Sequence, residues 1–481
     1  MDQADGVRLR DIHGRRSTQE MGRSVFAAAA RAADAQLADE IERERDWRKK
    51  YLGPVRRLVE AGARSRAAAL GIARAGLAEL HDRLEFTRDG QAMPLPAGTE
   101  MSVDPVLGTE TVLGEGRGMR ELAIPYRGDL LTGDSLRRQI DAWVEGGIIE
   151  PSCREAVEKV VANPDWLDLS DRRFAILGGA SEMGAMEALS SWGADIAAID
   201  LPAPHLWERI LETARAGRGR LQVPTRPVGP RELTERAGAD LLTDLPEIGN
   251  WLRTLDAPFT IVDDIYADGS RFVLVAAATD ALAGTLARRD GVTLAYLATP
   301  TDVFAVPEEI ALETRSMRRG GRTMRALSAG ALYKPSYGEL FSGEDGKRWG
   351  IVDCLVGQQG ANYALAKTLQ RWRAVTARED GTLVSANVAP ATRTKSVTKN
   401  KALAAAYRGA GAYGLEIFEP ETSRWLMAAL LVHDLRNEGT SPVGHPFDLY
   451  AEGAAHGGIW RLGFEPRSIL PLAVARGIFR R

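Results

Sequence analysis

A tyrosine and a lysine stand four residues apart in GANYALAK, the stretch from Gly360 to Lys367. On a helix, residues at that spacing share a face. A phenol is a poor base near neutral pH, but an adjacent ammonium stabilises the phenolate and favours proton transfer. So paired, Tyr363 would protonate the alkoxide formed on ketone reduction or take the hydroxyl proton during alcohol oxidation, with Lys367 tuning its acidity and reaching a cofactor ribose. A surface helix can place the same two side chains by chance, so the pair needs support from the rest of the chain.

That support starts at RRFAILGGASEMGAMEALSSWGADIAAIDLP. Phe174 to Leu177 read as a buried strand, Met186 to Trp192 as a helix and Ile196 to Ile199 as a second strand, a β-α-β unit. Gly178, Gly179, Ser181 and Gly184 occupy the first turn. Small residues there let backbone N–H groups approach a pyrophosphate at a helix start, although they would equally make a bare strand-to-helix turn. Asp200 ends the second strand, where a carboxylate accepts hydrogen bonds from a ribose. It favours NAD(H) over NADP(H) by repelling a 2′-phosphate, a preference that a nearby arginine would reverse. Asp244, near the end of a later strand candidate, would contact an adenine or cap a turn.

Taken in order, these features resemble the short-chain dehydrogenase/reductase family. GGASEMG looks like its glycine-rich loop, Asp200 like its ribose-selecting acid, and Tyr363 with Lys367 like its catalytic pair. SANVAPATRT resembles the segment after the catalytic helix, with Asn387 ahead of a small loop, Pro390 setting a bend and Thr394 placed to contact a cofactor amide or phosphate. The resemblance spans about residues 170 to 400 and implies a Rossmann-like parallel sheet flanked by helices, an NAD(P) cofactor and a small carbonyl or alcohol substrate. One departure is plain: Gly350 stands thirteen residues before Tyr363, where the family carries a serine. Asp353, Cys354, Gln358, Gln359 and Asn362 are nearby polar candidates for that role. The departure keeps open an NAD-containing epimerase or lyase, and a catalytically inactive dinucleotide-responsive interaction protein.

The elements that must hold these residues follow from the remaining composition. At 481 residues the chain suits more than one domain, and its first hundred residues, rich in Ala, Leu, Glu and Arg, read as a helical extension that buries a face or joins copies into a homo-oligomer. Residues 101–169 read as a helical linker or accessory segment, and 170–481 as the Rossmann-like NAD(P)-binding and catalytic domain. A net charge of -3 offers no field for nucleic acid. No continuous apolar run is long enough for membrane insertion. Two distant cysteines exclude a thiolate metal cluster within this chain, and with an amino terminus unlike a secretory signal they point to the reducing cytoplasm. Asp263 and Asp264 read as a solvated turn, His433, His445 and His456 lie too far apart for a metal site, and the TRTKSVTKNK run reads as a basic loop.

Overall fold

The computed structural model describes residues 5–11, 16–104, 107–226, 232–320, 334–437 and 444–479. Its central sheet has seven strands: β1 (Gly108–Leu113), β2 (Arg173–Leu177), β3 (Asp195–Ile199), β4 (Arg220–Thr225), β5 (Phe259–Asp263), β6 (Val292–Ala298) and β7 (Val384–Val388). They lie in the order β7-β6-β5-β2-β3-β4-β1. All neighbours are parallel except β1, which runs antiparallel to β4 along one edge. The parallel strands thus wind outward in both directions from β2, the doubly wound order of a Rossmann-like α/β fold.

Alternation along the strands builds two cores. Phe174 and Ile176 of β2, with Ile196 and Ala198 of β3, pack on one face against the helices Met186–Ser191, Pro204–Ala216 and Pro420–Arg436. Ala175, Leu177, Ala197 and Ile199 face the other side, toward the helices Ser270–Leu286 and Ala361–Glu379. With both faces covered, the strands are continuous apolar runs, which is why they stand out in the sequence.

The first hundred residues, mainly helical but with a three-stranded antiparallel sheet of Gly6–Leu9, Leu84–Arg88 and Gln91–Pro94, belong to that second core. Met21, Val25, Phe26, Leu58, Ile72 and Leu77 share it with the central sheet and with Leu365, Leu369 and Trp372 of the helix that carries Tyr363. Gly76 makes the contact possible, because a Cβ there would lie 2.1 Å from the Trp372 ring. The segment 101–169 is not helical throughout: besides the helices Gly133–Glu145 and Pro151–Ala162 it supplies β1 and a hairpin of Ala123–Tyr126 with Asp129–Thr132. Between β6 and Tyr363 the chain inserts a three-stranded antiparallel sheet, in the order Val303–Pro307, Arg348–Asp353, Leu340–Ser342. No helix among the described residues is long and apolar enough to cross a membrane.

Buried charge locks the Tyr363 helix in place. Arg373, two turns beyond Lys367, donates to both carboxylate oxygens of Asp280 at 2.7 and 2.9 Å, and His81 of the N-terminal region meets the same carboxylate at 2.7 Å. Burial would raise the Asp280 pKa, but Arg373 and His81 overcome it and hold the group well below the usual carboxylate range. Removing Asp280 strands an arginine at a helix-helix contact. Asp280→Ala is therefore expected to lose about 3–5 kcal/mol in urea unfolding at neutral pH. Because the folded-state pKa is depressed, the gap between wild type and variant is full above about pH 4 and closes as the pH falls below that value.

Candidate functional site

The carboxyl ends of the parallel strands open into a single cleft of about 1680 Å³. Register lines these ends up: Leu177 is beside Ile199 on one side and Asp263 on the other, and Ala298 is beside Val388. Gly178, Ser181, Asp200, Tyr363, Lys367, Pro390 and Thr394 all line this cleft. Gly179, Gly184 and Asp244 are not among its lining residues. Asp244 instead accepts from Arg226 and from the Asp240 backbone, each at 2.9 Å, near the start of the helix Leu245–Arg253.

The glycine turn differs in detail from the sequence expectation. Four of its N–H groups are engaged by backbone carbonyls: Gly178 and Gly179 donate to that of Ile199, Ser181 to Gly178, and Gly184 to Ser181. Two acids take others. Asp200 Oδ2 accepts from the Ala180 N–H at 2.8 Å, and Asp264 Oδ2 from the Ala185 N–H at 3.0 Å. The carboxylate of Asp264 thus sits at the helix start where a pyrophosphate was expected. Glycine is required here by close approach. Gly178 has φ +91°, with the Asp264 carbonyl 2.9 Å from a would-be Cβ, and a Cβ on Gly184 would lie 3.0 Å from Asp264 Oδ2.

Asp200 retains capacity for a ribose. Its oxygens each accept one backbone N–H, from Ala180 and from Leu201 at 2.8 Å, which leaves each a further lone pair, and the residue lines the cleft. Burial raises its pKa, while Arg209 and His205 on the next helix, also in the cleft wall, act the other way.

Tyr363 and Lys367 are both in place on the cleft wall, but they do not sit as an electrostatic pair. Lys367 Nζ donates to Gln370 Oε1 at 2.8 Å and to the Leu297 carbonyl at 3.4 Å, and lies 5.8 Å from the centre of the Phe272 ring. Burial lowers its pKa, opposed by the charges of Asp263, Asp264 and Asp302. The Tyr363 phenol is pushed upward by burial, and the Thr299 hydroxyl facing it acts against that rise. Two more phenols converge on the cleft, Tyr266 and Tyr407, each pushed up to about 12, chiefly by burial.

Three features escaped the sequence reading. Asp263 and Asp264 are not a solvated turn: they are 6% and 7% exposed at the end of β5. Burial pushes Asp263 up to about 6 and Asp264 up to about 7, with Lys367 holding both down. Thr299, directly after β6, supplies a hydroxyl beside Tyr363. Gly350 lies in the inserted antiparallel sheet, where a Cβ would press on Ala311 at 2.6 Å, so the spacing of thirteen residues points away from the cleft. Of the other candidates, Cys354 is fully buried and Asp353 is bound by Arg467, whereas Gln359 reaches Thr301 at 2.6 Å in the cleft wall. Among the described residues no group of three or more His, Cys, Asp or Glu side chains is placed to hold a metal.

Lys367 is the cation that keeps the two aspartates ionisable. Lys367→Met is expected to move the ionisation of Asp264 to a pH above the wild-type value of about 7. A carboxyl ¹³C NMR titration of aspartate-labelled protein reads that shift directly; an unchanged or lowered midpoint would separate Lys367 from the pair.

No family model matches the chain, and no curated protein does. Among solved structures, it is similar to the 3-oxoacyl-[acyl-carrier protein] reductase from Brucella melitensis ATCC 23457, at 14% identity over 61% of this chain and 93% of that one, with a TM-score of 0.32. A likeness at that TM-score says nothing of activity.

Proposed function

We propose that the cleft binds a nicotinamide dinucleotide and serves an oxidoreductase that interconverts a carbonyl and a secondary alcohol, with Tyr363 as its acid-base group. The observation that carries this reading is the convergence, on one cleft at the switch point of the sheet, of residues scattered from Gly178 to Thr394. Asp200 has lone pairs left for a ribose, and Pro390 and Thr394 follow β7 in the same cleft wall. When bound, the dinucleotide would supply or accept the hydride. NAD(H) suits Asp200 alone, and the Arg209 guanidinium in the same cleft wall offers a cation for a 2′-phosphate, so both cofactors belong in any assay.

The chain's own groups would handle the proton. Buried and held neutral, Tyr363 is a donor at physiological pH, suited to protonating an alkoxide as it forms. Thr299, facing the phenol, is placed to share a hydrogen bond with the same oxygen and to fix its orientation. Lys367 acts from behind, through its charge on Asp263 and Asp264, and is a group from which a proton could be replaced. A second reading, an NAD-containing epimerase or lyase, draws on Asp264: a carboxyl pushed up to about 7 in the cleft wall is poised for proton abstraction at neutral pH.

Turnover separates these roles. In a screen of small ketones and secondary alcohols with NADH, NADPH and their oxidised forms, Tyr363→Phe is expected to lower kcat by about 10²–10⁴-fold. Thr299→Val should cost about tenfold in kcat, the loss of one hydrogen bond formed in the transition state. Full activity of Tyr363→Phe would remove the acid-base assignment. NAD that stays bound through purification, with no net turnover of any ketone or alcohol in the screen, would select the epimerase or lyase reading.

A further inference from the structure

Asp264 adjoins two spaces. It lines the cleft, and it also lines a cavity of about 20 Å³ on the face of the sheet covered by the helix Pro420–Arg436. Val262, Met427, Ala428 and Leu431 give the cavity apolar walls. β6 lies between β5 and β7 here, and its Ala295 is small enough to leave the space open. Water enters a cavity of about 10–15 Å³ or more when two to four polar partners await it.

Those partners are present. Besides Asp264, the residues Ser385, Asn387 and Arg424 bring polar groups to the wall. The Arg424 Nε is buried with no hydrogen-bond partner among the described residues, while the end of its guanidinium pairs with Glu187 at 3.0 Å. A buried donor left in that state costs about 1–3 kcal/mol, and a water in the cavity would accept from it. Ser385 and Asn387, two apart on β7, share a face. Ser385 Oγ donates to Asp434 Oδ2 at 2.6 Å, and the Asn387 amide donates to that same carboxylate oxygen at 2.8 Å and to Ser385 Oγ at 3.2 Å. The serine proton is thus committed to Asp434, with one lone pair left to accept from a water. Asp434 has a side chain 28% exposed, so it reaches solvent, and its other oxygen meets His433 Nδ1 at 3.1 Å.

We infer that the cavity holds water joining Asp264 to Ser385, and that Ser385 and Asp434 complete a proton path from Asp264 to solvent on the far side of the sheet from the cleft. In one transfer Asp264 gives its proton to the water, the water passes one of its own to Ser385 Oγ, and the serine proton moves to Asp434, which releases it. Each O–H bond broken is matched by one formed, and no oxidant or reductant takes part. The reverse order delivers a proton. Asp263 and Lys367 act on Asp264 from the cleft wall and do not line the cavity, so the path serves Asp264 even while a ligand fills the cleft.

Two measurements on the full chain without added ligand test the path. Neither needs a cofactor or turnover, so both stand apart from the redox reading. A crystal structure at atomic resolution should show ordered water in the cavity, hydrogen-bonded to Asp264, Arg424 and Ser385; a dry cavity would overturn the inference. Relaxation dispersion of the Asp264 carboxyl ¹³C signal, recorded at each variant's own titration midpoint, reads how fast that group trades protons with solvent. Ser385→Ala and Asp434→Asn should each slow the exchange about tenfold, the effect of one hydrogen bond lost from the transfer. An asparagine at 434 keeps the shape and the hydrogen bonding but carries no proton. A loosened fold would admit solvent and speed the exchange, so slowing isolates the path. Wild-type exchange in either folded variant would overturn it, because protons would then reach Asp264 from the cleft alone. If exchange slows as expected and neither NADH nor NADPH binds, the path stands and the redox reading falls.

Discussion

The chain winds in both directions from β2, and the positions of the candidate groups depend on that reversal. Leaving β2 toward β3, it crosses one face of the sheet through the helices Met186–Ser191 and Pro204–Ala216. Returning to β5 and on to β7, it crosses the opposite face through Ser270–Leu286 and Ala361–Glu379. Neighbouring connections therefore part above the ends of β2 and β5, and backbone groups there cannot be covered by a single helix. The cleft is the space left by that divergence. Tyr363 and Lys367 enter it because their helix is the crossover between β6 and β7, and the N-terminal helices keep that crossover in place through Gly76, Trp372 and the Asp280 ion cluster.

Burial of charge then sets what the cleft can do. Two adjacent carboxyls at the end of β5 are costly to ionise in a low-dielectric site, and one lysine moderates the cost for both. The result is a set of groups near the middle of the pH range beside phenols held neutral by burial. Asp264 has a second role, since it closes the glycine turn by accepting the Ala185 N–H. The closure of that turn and the charge of the cleft near neutral pH are thus tied to the same side chain.

The strands were legible because burial on both faces removes polar residues from them, and the β-α-β order followed from period and turn chemistry alone. Asp200, Tyr363 and Lys367 could be assigned to a strand end and a helix face because their spacing from neighbouring elements is local, and all three line the cleft. What the sequence hid was non-local. Asp263 and Asp264 look like a surface turn until the β2 turn and the Tyr363 helix close over them. Thr299 is separated from Tyr363 by the inserted antiparallel sheet, so counting back along the chain reaches Gly350 instead. The pairing of Lys367 with aspartates rather than with Tyr363 depends on side-chain direction, which a four-residue spacing does not specify. The N-terminal helices were recognisable as helices, yet their packing onto the sheet core was not, because an amphipathic face does not name what it covers.

Whether the cleft at the carboxyl edge of this sheet receives a nicotinamide dinucleotide is decided most directly by titrating the protein with NADH and with NADPH while following nicotinamide fluorescence. Saturable one-to-one binding of at least one of them is expected, weakened when Asp200 is replaced by alanine. Failure of both dinucleotides to bind folded protein would contradict the proposed function.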